Sequence, residues 1–324
     1  MSQICKYVAI DGTVLTFGEN GKIFMGQGDF RNFSYDYEAP YGSIINFSKN
    51  AVVQKQNTIY IKGQNENEVH QIANQIFNVF EKDIKFKNEN PYSDKTGKLY
   101  IGDYYLKCFV SSSTPSCYLN HKHFLKKDIT LITDHPNWIK ETSFSFVNSE
   151  KKANSKKYPF KYSYAYRINT AVDAVKNEYL FPIDFEFVLE PLDGRQIVNP
   201  FLLIGEQRYQ FNVILKNGFK LILNTLTKTI SLVDEKGNVE EALYIRSKKY
   251  DSFAKIPTGT FPLSIPENSK AELTGLQERS EPEWEYKIKK PEDEKFKYIL
   301  LDSSNLPIFD NAGDCIKTES EGEV

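Results

Sequence analysis

Residues 209–245 read YQFNVILKNGFKLILNTLTKTISLVDEKGNVEEALYI. Short apolar, β-branched stretches alternate here with turn residues. The stretches 209–215 and 219–224 flank Asn217-Gly218, and 229–233 and 239–245 flank Asp234-Glu235-Lys236-Gly237-Asn238. Asn-Gly pairs and short Gly-containing loops between such stretches are hairpin signals, so two hairpins are expected. Upstream, residues 184–189 and 201–204 have the same character. Downstream, Gly259-Thr260-Phe261-Pro262-Leu263 opens another strand, with Pro262 suited to a sheet edge. Evenly spaced strands without intervening helices predict a β-sandwich for the second half.

Toward the N-terminus, residues 148–157 are polar, carry four lysines and hold no apolar side chain larger than Ala153. This is the expected boundary, giving domains at 1–150 and 151–324. Just beyond it, alternation places Tyr158, Phe160, Tyr162, Tyr164 and Tyr166 on one side of an extended segment. Such a stripe can bind a glycan or a stacked base. It can equally cover a sheet or pack on a neighbouring subunit, which is the favoured reading.

The first half mixes strands with one helix. Val69, Ile72, Ala73, Ile76, Phe77 and Phe80 follow the spacing of a single helix face. Asn65 is placed to cap it and Glu68 to complete a capping box, so a helix is expected over about 66–82. Residues 6–10 and 13–17 flank Asp11-Gly12, a two-residue hairpin signal. Residues 99–110, 118–124, 128–133 and 142–147 read as strands. The pair Gly26 and Gly28 lacks the third glycine, the Lys-Ser/Thr and the helix of a phosphate loop; a turn followed by a strand is expected there.

Composition narrows the function. Among 324 residues, Lys+Arg (41) nearly balances Asp+Glu (43), for a net charge of -2, which excludes a chain driven by its overall charge onto nucleic acid or anionic membrane. Only six of the basic residues are Arg, so bidentate phosphate recognition is scarce. Tyr (20) and Phe (23) are abundant and lean toward sheet. No apolar run approaches the ~20 residues of a membrane helix, so no membrane insertion is expected. No secretory signal is expected, and the protein is read as made in a cytoplasm. Cys5, Cys108, Cys117 and Cys315 form no zinc pattern. A Cys108–Cys117 bridge across a hairpin is conceivable, but reduced thiols are expected in that compartment. His121 and His123 are the one candidate metal pair by spacing, and an exposed polar strand face is the favoured reading. No motif of a hydrolase, zinc protease, kinase, nucleotide loop or dinucleotide fold occurs. No catalytic residue, metal or cofactor is therefore assigned.

Taken in order, these features resemble the distal tail protein (Dit) family of phage tails. The opening hairpin, the Gly-rich turn before Phe30, the single helix and the run 129–138 leading into Phe144-Ser145-Phe146 are similar to that family's ring-forming belt domain. Residues 158–166 are similar to a Tyr-Pro-rich junction, with Lys161 and Ser163 departing from the usual Asp and Pro. Phe185-Glu186-Phe187, Asn199-Pro200 and the segment around Asn217-Gly218 are similar to its galectin-like β-sandwich. The resemblance implies a mainly β chain with one helix, a belt domain and a C-terminal sandwich. It implies a homo-hexameric ring at the tail tip, in contact with the tail tube, the tail hub and receptor-binding or side-fibre proteins. DNA would pass its lumen without specific binding. Separately, because phosphate contacts dominate affinity for DNA, the lumen wall is expected to be neutral or acidic, with the lysines mostly facing elsewhere. The location implied is the virion, after assembly in the host cytoplasm.

Two other readings stand beside it. One is a tube or baseplate component of a contractile tail or tail-like bacteriocin. The other is a carbohydrate-binding sandwich for host attachment, which needs an aromatic platform beside convergent polar groups. Trp284, set among Glu281, Glu283 and Glu285, and the stripe from Tyr158 to Tyr166 are its candidates, and the same six residues are the candidate partner surface.

Overall fold

The computed structural model describes residues 5–18, 22–26, 28–49, 51–118, 123–149, 172–192, 194–283, 297–299 and 317–319. They fall in two compact units, residues 1–283 and residues 284–324. Among the described residues the architecture is mainly β with one α-helix.

The first unit begins with β1 (Cys5–Val8), β2 (Val14–Phe17), β3 (Ile23–Met25), β4 (Asp36–Glu38), β5 (Asn46–Ser48) and β6 (Val53–Lys62). Helix α1 (Glu66–Glu89) follows, then β7 (Gly97–Ile101), β8 (Tyr104–Tyr118), β9 (Phe124–Thr133) and β10 (Trp138–Asn148). The second half supplies β11 (Val172–Asn177), β12 (Asp184–Pro191), β13 (Ile197–Val198), β14 (Phe201–Ile204), β15 (Gln207–Gln210), β16 (Ile214–Leu215), β17 (Lys220–Asn224), β18 (Thr229–Val233), β19 (Val239–Glu241), β20 (Gly259–Ser264) and β21 (Ser269–Arg279).

One large antiparallel sheet runs β19-β18-β17-β12-β21-β10-β8-β7-β1-β2, and β9, β6 and β3 extend it from β8. The Gly18 N–H donates to the Ile23 carbonyl at 3.2 Å, so the two ends of its first-half portion meet. A four-stranded sheet, β11-β20-β14-β15, faces its other portion. Two cores result. The first joins Tyr7, Phe17, Ile59, Ile61, Leu99, Leu106 and Trp138 to Val69, Ile72, Ile76 and Phe80 of α1. The second lies between the sandwich layers, with Phe185, Phe187, Leu221 and Leu273 against Leu202, Ile204, Tyr209 and Leu263. The Phe185 and Tyr209 rings meet edge-on across it, 5.3 Å apart. Each such side chain contributes roughly 1.5–3 kcal/mol on burial. Strand β10 pairs with β21 over its full length, from Trp138↔Arg279 to Asn148↔Ser269. It starts in the first core at Trp138 and ends in the second at Phe146.

Several local expectations are corrected. The helix has 24 residues and continues past 82. The cluster Glu81-Lys82-Asp83 reads as a polar stop, but Asp83 lies inside, 2% exposed, and prolongs the buried stripe. Val79 is on that stripe, whereas Phe77 is exposed. Asn65 caps the helix as expected, its Oδ1 accepting from Glu68 N at 2.9 Å, but Glu68 Oε2 accepts from Gln64 N at 2.5 Å, one residue before the cap, rather than from Asn65 N as in a capping box.

The first hairpin pairs Val8 with Val14, and Ala9 N–H donates to the Thr13 carbonyl at 2.8 Å. Its loop is therefore Ile10-Asp11-Gly12, three residues, with Gly12 at φ 84°. A type I turn closed by a left-handed glycine fits the strand twist where a two-residue Asp-Gly loop was expected. The β18–β19 hairpin uses the same solution at Glu235-Lys236-Gly237. Asn217-Gly218 joins no hairpin. Strand β16 before it pairs with β13, and β17 after it pairs with β12 and β18. Only Gly218 has positive φ, as in a type II turn, which passes the chain from one sheet to another.

Cys108 and Cys117 sit on the single strand β8, roughly 30 Å apart at ~3.3 Å per residue, so they form no bridge. In the second unit β22 (Lys297–Ile299) pairs antiparallel with β23 (Lys317–Glu319). Residues 298–302 and 307–309 read in the sequence as a last hairpin, and 307–309 lie outside the described residues.

Candidate functional site

Strands β4 and β5 form a separate two-stranded ribbon, with Asp36↔Ser48, Tyr37↔Phe47 and Glu38↔Asn46 in register. A 3-10 turn at Pro40–Gly42 closes it, with Tyr41 at φ 66°. Every residue of both strands is exposed. The ribbon concentrates large exposed apolar side chains: Phe33, Tyr35, Tyr37, Tyr41, Ile44, Ile45 and Phe47. This is an unusual density for a surface that meets only water.

The base of the ribbon is firmly held. Trp138 Nε1–H donates to the Phe30 carbonyl at 3.1 Å, and Lys55 Nζ donates to the Asn32 carbonyl at 2.7 Å. Arg31 Nη1 reaches the Pro282 carbonyl at 2.7 Å. On the other leg, Lys49 Nζ donates to Asn137 Oδ1 at 2.5 Å and to Ser280 Oγ at 2.9 Å, and the Tyr35 hydroxyl meets Ser280 Oγ at 2.5 Å. Asn137 Nδ2 passes on to Glu278 Oε1 at 3.3 Å, where His135 Nε2 also lies at 2.5 Å. Burial pushes the Glu278 carboxyl up, but the hydrogen bonds from His135 and Asn137 outweigh it and hold the acid below its usual range.

A second feature is a groove of about 570 Å³ on the outward face of the large sheet, where its two portions join. Its first-half wall is built by β1, β7 and β8. Lys6 lies 4.8 Å above the Tyr100 ring, Lys98 4.2 Å above the Tyr105 ring, and the two rings are 5.4 Å apart. The Tyr105 hydroxyl donates to Glu141 Oε1 at 2.7 Å, with Lys98 Nζ 3.6 Å from that oxygen. Across the groove, Asn224 Nδ2 donates to Glu186 Oε2 at 3.0 Å. Glu141 and Glu186 thus already have partners, and Asp94, Lys95 and Lys107 also line the groove, which is a mixed-charge, polar surface.

The buried polar groups of the first core are structural. The Tyr7 hydroxyl donates to Asp83 Oδ2 at 2.7 Å and Ile10 N–H to Asp83 Oδ1 at 2.9 Å. Burial nevertheless holds the Asp83 carboxyl above its ordinary range, outweighing those hydrogen bonds. A carboxyl raised on folding favours the native state when protonated, and this advantage is lost as pH rises through its native titration. Asp83→Asn is therefore expected to gain stability relative to the wild type as pH rises from 4 to 7. Urea unfolding of both proteins at the two pH values checks this; a difference that does not change with pH refutes it. Burial also pushes the Cys5 and Cys108 thiols up to about 12, far from a reactive thiolate. Among the described residues no group of three or more His, Cys, Asp or Glu is placed to hold a metal ion.

The sequence-based candidates Tyr158, Phe160, Tyr162, Tyr164, Tyr166 and Trp284 all lie outside the described residues, as does His121. The ribbon was missed as a surface. Its signal is the alternation of Tyr35 and Tyr37, and of Ile45 and Phe47, with polar residues around Pro40-Tyr41-Gly42.

No protein-family model and no curated protein matches the sequence. Solved structures do. A chain in the structure of the phage P2 baseplate in its activated conformation with calcium aligns at TM-score 0.53 and 14% identity, covering 87% of this chain and 100% of its own. The corresponding structure with strontium gives TM-score 0.53 at 13% identity, covering 87% and 100%. The SPP1 Dit protein, described as a paradigm of hub adsorption apparatus in phages infecting Gram-positive hosts, aligns at TM-score 0.48 and 10% identity over 85% and 100%. The chain shares its fold with a phage baseplate protein across most of its length.

Proposed function

We propose that this protein is a structural component of a phage tail tip, of the distal tail type, and not an enzyme. Copies close into a homo-hexameric ring that joins the tail tube to the tail hub and the receptor-binding or side-fibre proteins. Residues 1–150 form the ring and residues 151–324 carry its outward docking domain, with β10 and β21 shared between them. DNA passes the lumen without specific binding, because phosphate contacts would retain it. The protein is assembled in the host cytoplasm and resides in the virion.

The observation that carries this reading is the fold shared with a baseplate chain over 87% of the sequence. The exposed, apolar, well-anchored ribbon supports it, because a ring built from repeated contacts needs patches that only neighbours cover. Light scattering with negative-stain imaging of the purified protein tests it. The expected result is a ring of six times 37.4 kDa. A protein that stays monomeric at all concentrations, alone and with tail tube and hub proteins, overturns it. A lumen walled by lysine overturns the free passage of DNA.

A further inference from the structure

The four-stranded sheet β11-β20-β14-β15 covers the second core with one face only. Leu202, Ile204 and Tyr209 point inward and are buried there. Alternation therefore turns Phe201, Leu203 and Arg208 outward, with Leu203 directly opposite Arg208. The free edge of β15 is lined by the chain that follows the 3-10 turn at Leu243–Ile245. Asn212 N–H donates to the Ile245 carbonyl at 2.7 Å, and Ser247 N–H to the Gln210 carbonyl at 2.9 Å. Farther along, Gln207 Nε2 donates to the Asp251 carbonyl at 2.9 Å, which fastens the turn at 248–251 beside β15.

Cations and rings meet on this face. The Arg208 guanidinium carbon lies 4.8 Å from the centre of the Phe201 ring and 5.8 Å from that of Tyr250, and Lys249 Nζ lies 5.3 Å from the Tyr250 ring. Arg246, Lys248 and Lys249 are exposed, and Arg208 is half-buried. Among the described residues no carboxylate pairs with any of these four cations. Lys220, Lys255 and Lys270 of the same sandwich, by contrast, pair with Glu190, Asp184 and Glu272. The acids on these segments are Glu206, exposed in the β14–β15 turn, and Asp251, whose Oδ1 accepts from Phe253 N–H at 2.9 Å. Two positive charges remain in excess. Arg208 Nε is closed off from solvent and makes no hydrogen bond among the described residues, so this cation is already partly stripped of water. It has less hydration to lose when a carboxylate arrives, and its fork matches that group. Arg, Tyr and Phe are also the side chains that interfaces concentrate.

We propose that this face binds a short acidic segment of another tail-tip protein, with carboxylates on Arg208 and Lys249 and apolar side chains against Phe201, Leu203 and Tyr250. Charge complementarity selects an acidic partner, and the rings select one whose acids are interspersed with apolar side chains. A nucleic-acid strand draws its affinity from many phosphates along a groove; four cations on one strand and one turn suit a short peptide instead. The proposal rests on the reading of the sandwich as an outward docking domain and names the chemistry of its partner.

The full-length protein is titrated at low salt with a labelled random copolymer of glutamate and tyrosine and, separately, with single-stranded oligo(dT). The wild type should bind the copolymer, and added salt should weaken the complex. Arg208→Gln and Lys249→Gln should each weaken it about 10-fold, the size of one charge-assisted hydrogen bond. Lys249 is exposed, so the melting temperature of its variant should match the wild type. Arg208→Lys keeps the charge but not the fork and should lose part of the affinity. Lys62→Gln makes the same charge change on β6 and should have no effect. An equal loss in Lys62→Gln marks diffuse attraction and overturns the site, as does copolymer binding that is indifferent to Arg208 and Lys249. Tighter binding of oligo(dT) assigns the face to nucleic acid and overturns the acidic partner. A wild type that forms rings but binds no copolymer overturns this inference and leaves the assembly reading intact. A monomer that binds the copolymer through Arg208 overturns the ring and supports the site.

Discussion

Gly97→Ala is expected to destabilise the first core by about 3 kcal/mol, the upper range for overpacking a tight interior. Gly97 opens β7 opposite Cys108 and is buried. A Cβ there would lie 1.9 Å from the Tyr7 hydroxyl, 2.5 Å from Cζ of the same ring and 2.9 Å from Asp83 Oδ2. No small adjustment relieves all three. The Tyr7 ring is packed edge-on against Phe80 at 5.2 Å, and Asp83 is fixed by α1 and by the Ile10 amide. Displacing the hydroxyl would also strand a buried carboxyl, adding about 1–3 kcal/mol of unsatisfied polar cost. Tyr7→Phe should partly rescue the variant, because it removes the nearest atom, so the two changes together should cost less than their sum. Denaturant unfolding of the two single variants and the double variant measures this. A Gly97→Ala protein as stable as the wild type would show that Tyr7 is not confined as described.

Trp138→Ala is expected to cost about 3–5 kcal/mol. Trp138 is fully buried, begins β10 and belongs to the first core. Its indole N–H also satisfies the Phe30 carbonyl at the foot of the ribbon. Trp138→Phe should keep most of the packing and lose about 1–2 kcal/mol through the stranded carbonyl. The comparison separates volume from hydrogen bonding: equal losses in the two variants, read from denaturant midpoints at constant slope, would exclude the packing role.

Much of this architecture is written in local patterns. The helix start is legible because Asn65 and Glu68 satisfy orphan amides within a few residues, and the β18–β19 hairpin because its turn chemistry is local. What escapes is set by contacts far away in the chain. Asp83 looks like a solvated stop signal until Tyr7 and Ile10, more than seventy residues earlier, supply its hydrogen bonds. Asn217-Gly218 is a good turn, but which strands flank a turn as partners is decided by the sandwich, and here they belong to different sheets. The ribbon is the opposite case. Its alternation is plain, and alternation alone says that a face is covered without saying by what.

The shared β10–β21 pair has a mechanical consequence. Eleven residue pairs tie the strand that enters the first core at Trp138 to the strand that crosses the second at Leu273. There is no soft joint along that seam, so a push on the sandwich is delivered to the helix-bearing half as leverage rather than absorbed as bending. Heating should act on the seam in the same way, and the two cores should melt as one cooperative block.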